Sequence, residues 1–131
     1  MIDEKDRDAL IEYRFKQAVE SIDLAKFLVS SDKLVVAVNR IYYGMYYALT
    51  ALALKYEFKT SKHTQLIGWF NKEFVFSKKV DPKYAKILWN AYKNRTKGDY
   101  EAFILFSKGE VELMLTEMID FIEEISALLK K

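Results

Sequence analysis

Cysteine is absent from the 131 residues, and proline, histidine and glycine are scarce, at one, one and four. Each shortage closes a class of explanation. Without cysteine there is no disulfide framework, no cysteine-based zinc site and no thiol nucleophile. So little glycine and proline cannot punctuate an all-β fold with many turns. One histidine cannot furnish the paired sites of a di-iron bundle, and no Glu-x-x-His motif occurs. Walker-type, GxGxxG and G-x-S-x-G sequences are missing as well. The acidic residues are spread over faces that read as solvated, not paired for metal or glycosidase work. Charge of one sign is also lacking: 21 Lys and Arg against 19 Asp and Glu leave +2, which neither demands nor forbids nucleic acid.

What is present argues for a packed helical protein. Apolar residues make up 51% of the chain and aromatics 15%, too much for a disordered segment. The length suits one domain, residues 1–131, with a real core. The first residues, MIDEKDRDAL, are charged and helical in character, unlike a secretory signal, so a cytoplasmic location is expected.

The stretch from Leu34 to Leu54 holds one charge, Arg40, and tyrosines at 42, 43, 46 and 47. Its length raises a transmembrane reading. Asn39 and Arg40 inside the run, and tyrosines near its centre instead of at its ends, argue against one. A helix so poor in charge is covered almost all round. Its apolar and tyrosine-rich surface reads as too wide for one bundle's interior, which predicts a dimer.

The other segments carry helical stripes. Ile11, Phe15, Ala18, Ile22, Ala25 and Val29 step alternately by four and three, opposite charges at Arg14, Lys16, Glu20 and Asp23. Ser30-Ser31-Asp32 breaks that helix. In the second helix Leu34, Val38, Ile41, Met45, Ala48 and Leu52 share a stripe that Val35, Tyr42, Tyr46 and Leu49 widen. After the polar turn Lys59-Thr60-Ser61, a shorter helix turns Leu66, Ile67, Phe70 and Phe74 inward. Asp81-Pro82 is a start signal, a capping side chain followed by proline at the first helical position. Tyr84, Leu88 and Ala91 make the next stripe, and Thr96 to Asp99 ends that helix. Ser107 and Glu110 fit a capping box before a last helix with Val111, Leu115, Met118, Ile122, Ile125 and Leu129 inward. No segment sustains period-two alternation. The expected fold is all-α, an up-down four-helix bundle with one additional short helix.

Three residues stand out chemically. One more step along the fourth helix's stripe lands on Arg95, which either snorkels at the helix end or presents a guanidinium at a cleft. Arg40 has Tyr43 and Tyr47 at i+3 and i+7 and needs an acceptor or an aromatic face. It either bridges helices or, with the tyrosine hydroxyls, holds a phosphate or a partner chain. His63 sits at the start of the third helix, where the helix N-terminus favours a neutral ring able to accept a proton. Trp69 and Trp89 read as core. The basic runs Lys78-Lys79 and Lys93 to Lys97 read as solvated faces.

The run Asn39-Arg40-Ile41-Tyr42-Tyr43-Gly44-Met45-Tyr46-Tyr47-Ala48 resembles the second-helix signature of the HEPN domain family (higher eukaryotes and prokaryotes nucleotide-binding). Ser61 to Thr64, Phe70 to Val75, and Arg95 followed by Asp99-Tyr100 are similar to a small prokaryotic subfamily of it. The likeness runs from about Tyr13 to Leu129. It implies a HEPN-like bundle, usually a homodimer. Many relatives are metal-independent ribonucleases, often toxins paired with a nucleotidyltransferase-type antitoxin. Their signature is an arginine, four to six residues, then a histidine near a helix end. The arginine carries over to Arg95. The histidine does not: after Arg95 and four intervening residues comes Tyr100. Metal-free RNA cleavage needs one group to take the 2′-OH proton and another to stabilise phosphorane charge. Tyrosine, with a pKa of about 10, is a poor base at neutral pH.

The resemblance therefore yields an expectation with two rivals. The leading one is a homodimer that binds nucleotide or RNA, or a nucleotidyltransferase partner, without the ribonuclease histidine. The first rival is an active endoribonuclease toxin using Arg95 with Tyr100, Asp99 or His63 as catalytic residues. The second is a non-catalytic structural or interaction module. Arg40, Tyr43 and Tyr47 are the candidate ligand contacts; no cofactor and no metal site is expected.

Overall fold

The computed structural model describes residues 3–101 and 104–131. They form helices α1 (Glu4–Ser30), α2 (Leu34–Lys55), α3 (His63–Phe70), α4 (Lys83–Tyr100) and α5 (Lys108–Leu129), with no strand among the described residues. A π-helical turn, Asn71–Val75, prolongs α3. The all-α bundle expected from the stripes is the fold.

Helix α2 packs against α1, α4 and α5 and is the bundle's axis. Eleven of its 22 residues are buried, among them Ile41, Tyr42, Met45, Leu49 and Leu52. A single chain therefore covers most of its charge-poor surface, and the lack of a polar face does not by itself call for a second copy. Its closest neighbour is α1, whose buried residues Ala18, Ser21 and Ala25 are small. Ala18 and Ser21 face Gly44, where an added Cβ would overlap Met118 Cε and stand 3.0 Å from Ser21 Cβ. Glycine here allows the two backbones to approach.

The local signals mostly act as their chemistry suggests. Asp3 caps α1, accepting from the Asp6 N–H at 2.8 Å. Asp81 Oδ1 accepts from the Lys83 N–H at 2.8 Å, with Pro82 between them in helical conformation. Ser107 and Glu110 form a reciprocal capping box at the start of α5.

Four expectations are corrected. The fourth helix does not end over Thr96 to Asp99 but continues to Tyr100. The Arg95–Asp99 pair spans that extra turn. Gly98 lies within this last turn next to Val35 and Phe106, where an added Cβ would make ordinary contacts, 3.4 Å from Val35 Cγ1 and 3.5 Å from the Phe106 ring. Val35 itself, expected inward, is 37% exposed. Trp89, expected in the core, is 44% exposed, because it falls off the Tyr84–Leu88–Ala91 stripe. Phe74 is buried as expected, but the π-helical turn and not regular helix carries it inward. No described helix is long and apolar enough to cross a membrane.

Candidate functional site

Half-way along α2 the helix turns Tyr42 fully inward and leaves Tyr43, Tyr46 and Tyr47 half-buried. Their rings touch in sequence, Tyr42 to Tyr43 at 5.4 Å and Tyr43 to Tyr46 at 5.9 Å between centroids. Two charged elements meet this ladder. Helix α4 brings Arg95, and the start of α3 brings His63.

Arg95 is almost enclosed, with 13% of its side chain exposed. Its guanidinium lies 5.3 Å from the Tyr42 ring and 5.1 Å from the Tyr43 ring, in cation–π range of both. Nη2 donates to the Tyr43 hydroxyl at 2.6 Å. Nε is 3.5 Å from Asp99 Oδ2, a charge contact that leaves Nε without a hydrogen-bond partner among the described residues. Arg95 therefore points into the bundle and does not snorkel.

Arg40 belongs to the same network. Its Nε and Nη2 donate to Asn39 Oδ1 at 3.0 and 2.7 Å, and its guanidinium stands 5.1 Å from the Tyr43 ring. The Asn39 amide nitrogen in turn donates to both Asp99 oxygens at 3.3 Å. A guanidinium can only donate and a carboxylate only accept, so these neighbours fix which way the amide faces. Arg40, Asn39, Asp99, Arg95 and Tyr43 thus close a ring of contacts. Two guanidiniums against one carboxylate leave an excess positive charge, and Arg40 forms no ion pair among the described residues.

His63 lies on the other side of the ladder. Its ring stacks on Tyr46 with centroids 4.3 Å apart and planes 10° from parallel. The Tyr42 hydroxyl is 2.6 Å from His63 Nδ1. Burial pushes the Tyr42 hydroxyl well above the usual phenol range, against a smaller opposing pull from Arg95. It stays a phenol, which pairs with Nδ1 as donor or as acceptor according to the tautomer of the ring. Burial first, and the charge of Arg95 second, hold the imidazole below its ordinary pKa of 6.5. The neutral ring expected from the helix N-terminus is thus owed chiefly to desolvation.

A titration follows from this. The folded chain binds the His63 proton less readily than the unfolded chain, so stability is complete above pH 6.5 and falls as pH drops toward the lowered value. The C2–H resonance of the lone histidine is expected to titrate below pH 6.5 in the native protein, and Arg95→Ala to move it upward. A native midpoint at or above 6.5 would contradict this picture of the site.

The fold brings Arg95, Asp99, Arg40, Tyr43 and His63 around one set of rings. It does not bring in Tyr100, which is 78% exposed and makes no hydrogen bond among the described residues. Tyr47 touches Tyr43 and Tyr46 but neither arginine, and lines a groove on the α1 side. Asn39 and Tyr42, which hold the cluster together, are not among the candidate contacts that the sequence suggests, although Tyr42 lies on the expected buried stripe. A polar residue beside an arginine in an apolar run was the available signal for Asn39. Among the described residues no three His, Asp or Glu side chains gather as a metal site would require.

Comparison with known proteins agrees with this architecture. The model of the HEPN domain matches residues 11–131. A UPF0332 protein of Thermotoga maritima is 33% identical over 125 residues, 95% of either chain. Two proteins of Methanocaldococcus jannaschii, each named a putative toxin, are also similar. One is 33% identical over 80% of this chain and 71% of its own length, the other 29% identical over 87% and 84%. With the family model matching nearly the whole of an all-α chain, the protein belongs to the HEPN domain family.

Proposed function

We propose that the chain is a toxin-type HEPN protein that binds RNA or nucleotide phosphate at the tyrosine-framed Arg40–Arg95 cluster. The observation that carries this reading is the charge count of the cluster. Arg95 is matched by Asp99, while Arg40 is held by a neutral amide and an aromatic face, so its charge remains available to an anion. Arg40 is half-buried beside aromatic rings, where a phosphate contact is stronger than in open water. The toxin names of the two archaeal relatives support the same direction.

A homodimer fits this reading through the start of α2 together with the end of α4 and the segment after it. Val36, Tyr100 and Leu105 are 51%, 78% and 89% exposed, and the Val35–Gly98–Phe106 packing puts their chain neighbours together at one end of the bundle. That end also carries Asp99. Pairing there about a two-fold axis sets two Arg95 clusters beside one cleft. A nucleotidyltransferase-type antitoxin is the partner proposed to cover this cleft.

One observation favours a second reading, cleavage as well as binding. His63, with its lowered pKa and Nδ1 already taken by Tyr42, shares the Tyr42 and Tyr43 rings with Arg95. In that reading Nδ1–H donates to the Tyr42 hydroxyl, the free Nε2 takes the 2′-OH proton, and Arg95 stabilises the phosphorane. The test is incubation of single-stranded RNA with the protein in excess chelator. Binding that survives His63→Gln, with no cleavage, supports the first reading. Cleavage lost in both His63→Gln and Arg95→Ala supports the second. Failure to bind or cleave RNA, and failure to bind nucleotide, would overturn both.

A further inference from the structure

The tyrosine ladder has a second side. A groove of about 300 Å³ runs between α1, the second half of α2 and the loop before α3. That volume lies at the lower end of the range typical of small-ligand sites. No carboxylate lines it. Its cations are Arg14 and Lys59, and neither forms an ion pair among the described residues. The Arg14 guanidinium donates to the neutral amide of Gln17 at 2.9 Å, an acceptor that leaves its charge uncancelled. Its charge acts on the Tyr46 hydroxyl, opposing the upward push of burial.

The rest of the groove is aromatic and hydroxylic. Tyr46, Tyr47 and Thr50 line one side. Phe58 also lines it, and its ring is backed by Trp69, stacked 5.1 Å away with planes 10° apart. Two uncancelled cations beside a braced aromatic ring match a ligand that joins a phosphate to a planar base. An acidic peptide would use the cations and leave the rings idle; an uncharged aromatic would do the reverse.

We propose that this groove is a nucleotide subsite, with Arg14 and Lys59 on the phosphate and Phe58 against the base. The proposal rests on the nucleic-acid reading above and gives it a second contact point. Tyr46 joins the two sites, since it lines the groove and stacks on His63. An occupied groove is therefore felt at the histidine ring. The ligand is either a free mononucleotide or one unit of an RNA strand whose neighbouring phosphate reaches Arg40.

The test uses the full chain and AMP as the probe, followed by calorimetry and by the His63 C2–H resonance. AMP is expected to bind, to shift that resonance, and to bind about tenfold more weakly when either cation is removed in Arg14→Gln or Lys59→Gln. Adenosine and inorganic phosphate are each expected to bind more weakly than AMP. Competition by a short single-stranded RNA identifies the strand as the source; AMP binding that such RNA does not displace identifies the free nucleotide. AMP that does not bind, or binds both variants as it binds the parent chain, overturns the groove. If RNA binding that depends on Arg40 persists in that case, the function proposed above stands without it. If both are lost, both fall.

Discussion

Arg95→Ala is expected to lower the unfolding free energy by about 3 kcal/mol, because three favourable contacts vanish and one unfavourable group is left behind. The charge-assisted bond to the Tyr43 hydroxyl contributes on the order of 1.5 kcal/mol or more. Cation–π contact with Tyr42 and Tyr43 adds about 0.5–1 kcal/mol for each ring. Asp99 keeps its bonds to Asn39 but loses its cation. With only 13% of the Arg95 side chain exposed, solvent screens little of this. The midpoint of thermal unfolding should fall by about 10 °C for a chain of this size. Arg95→Lys is expected to recover less than half of the loss, since an ammonium lacks the planar fork that meets Tyr43 and Asp99 together. Urea unfolding of the three proteins checks this. An Arg95→Ala protein within about 0.5 kcal/mol of the parent chain would mean that Arg95 is not held as described.

Gly44→Val is the second substitution with a large expected effect. A Cβ alone already overlaps Met118 Cε, the flexible end of a buried side chain that must turn aside to admit it. Ser21 Cβ on α1 stands 3.0 Å from the same point. Gly44→Ala gains about 1 kcal/mol of helix propensity, which offsets much of the crowding. Gly44→Val adds two methyl groups, a β-branched side chain and a displaced α1, for a net loss of about 3 kcal/mol. Denaturant unfolding should therefore rank Gly44→Ala close to the parent chain and Gly44→Val far below it. Equal stability of all three would show that the α1–α2 approach is looser than described.

The fold was legible where one local signal met one periodic stripe. Leu34–Lys55 ends one residue from the expected boundary, and the last helix follows its Ser107–Glu110 box. Legibility failed where tertiary packing overrode a local signal. Gly98 reads as a helix end, yet α4 continues through it to Tyr100, beside Val35 and Phe106. The π-helical turn at Asn71–Val75 has no periodic signature in the sequence, and it reaches the burial of Phe74 by a different backbone.

The site was half legible for the same reason. Helical spacing was enough to turn Arg95 inward and to set Tyr43 beside Arg40. It could not show that α3 returns to lay His63 on Tyr46, because that contact joins segments with no common period. The Asn39–Asp99 bond spans 60 residues and was equally hidden. Tyr100 was singled out from its place after Arg95 in the family signature, but one residue past Asp99 its side chain faces away from the cluster and into solvent.

The central claim is that Arg40 carries the uncancelled charge that receives phosphate. Titration of a single-stranded RNA against the parent chain and Arg40→Gln, over a range of salt concentrations, tests it most directly. The expected result is binding about tenfold weaker in the variant, with a log–log salt slope shallower by about 0.7, the value for one phosphate contact on a single strand. Equal affinity and an unchanged slope in Arg40→Gln would contradict the account.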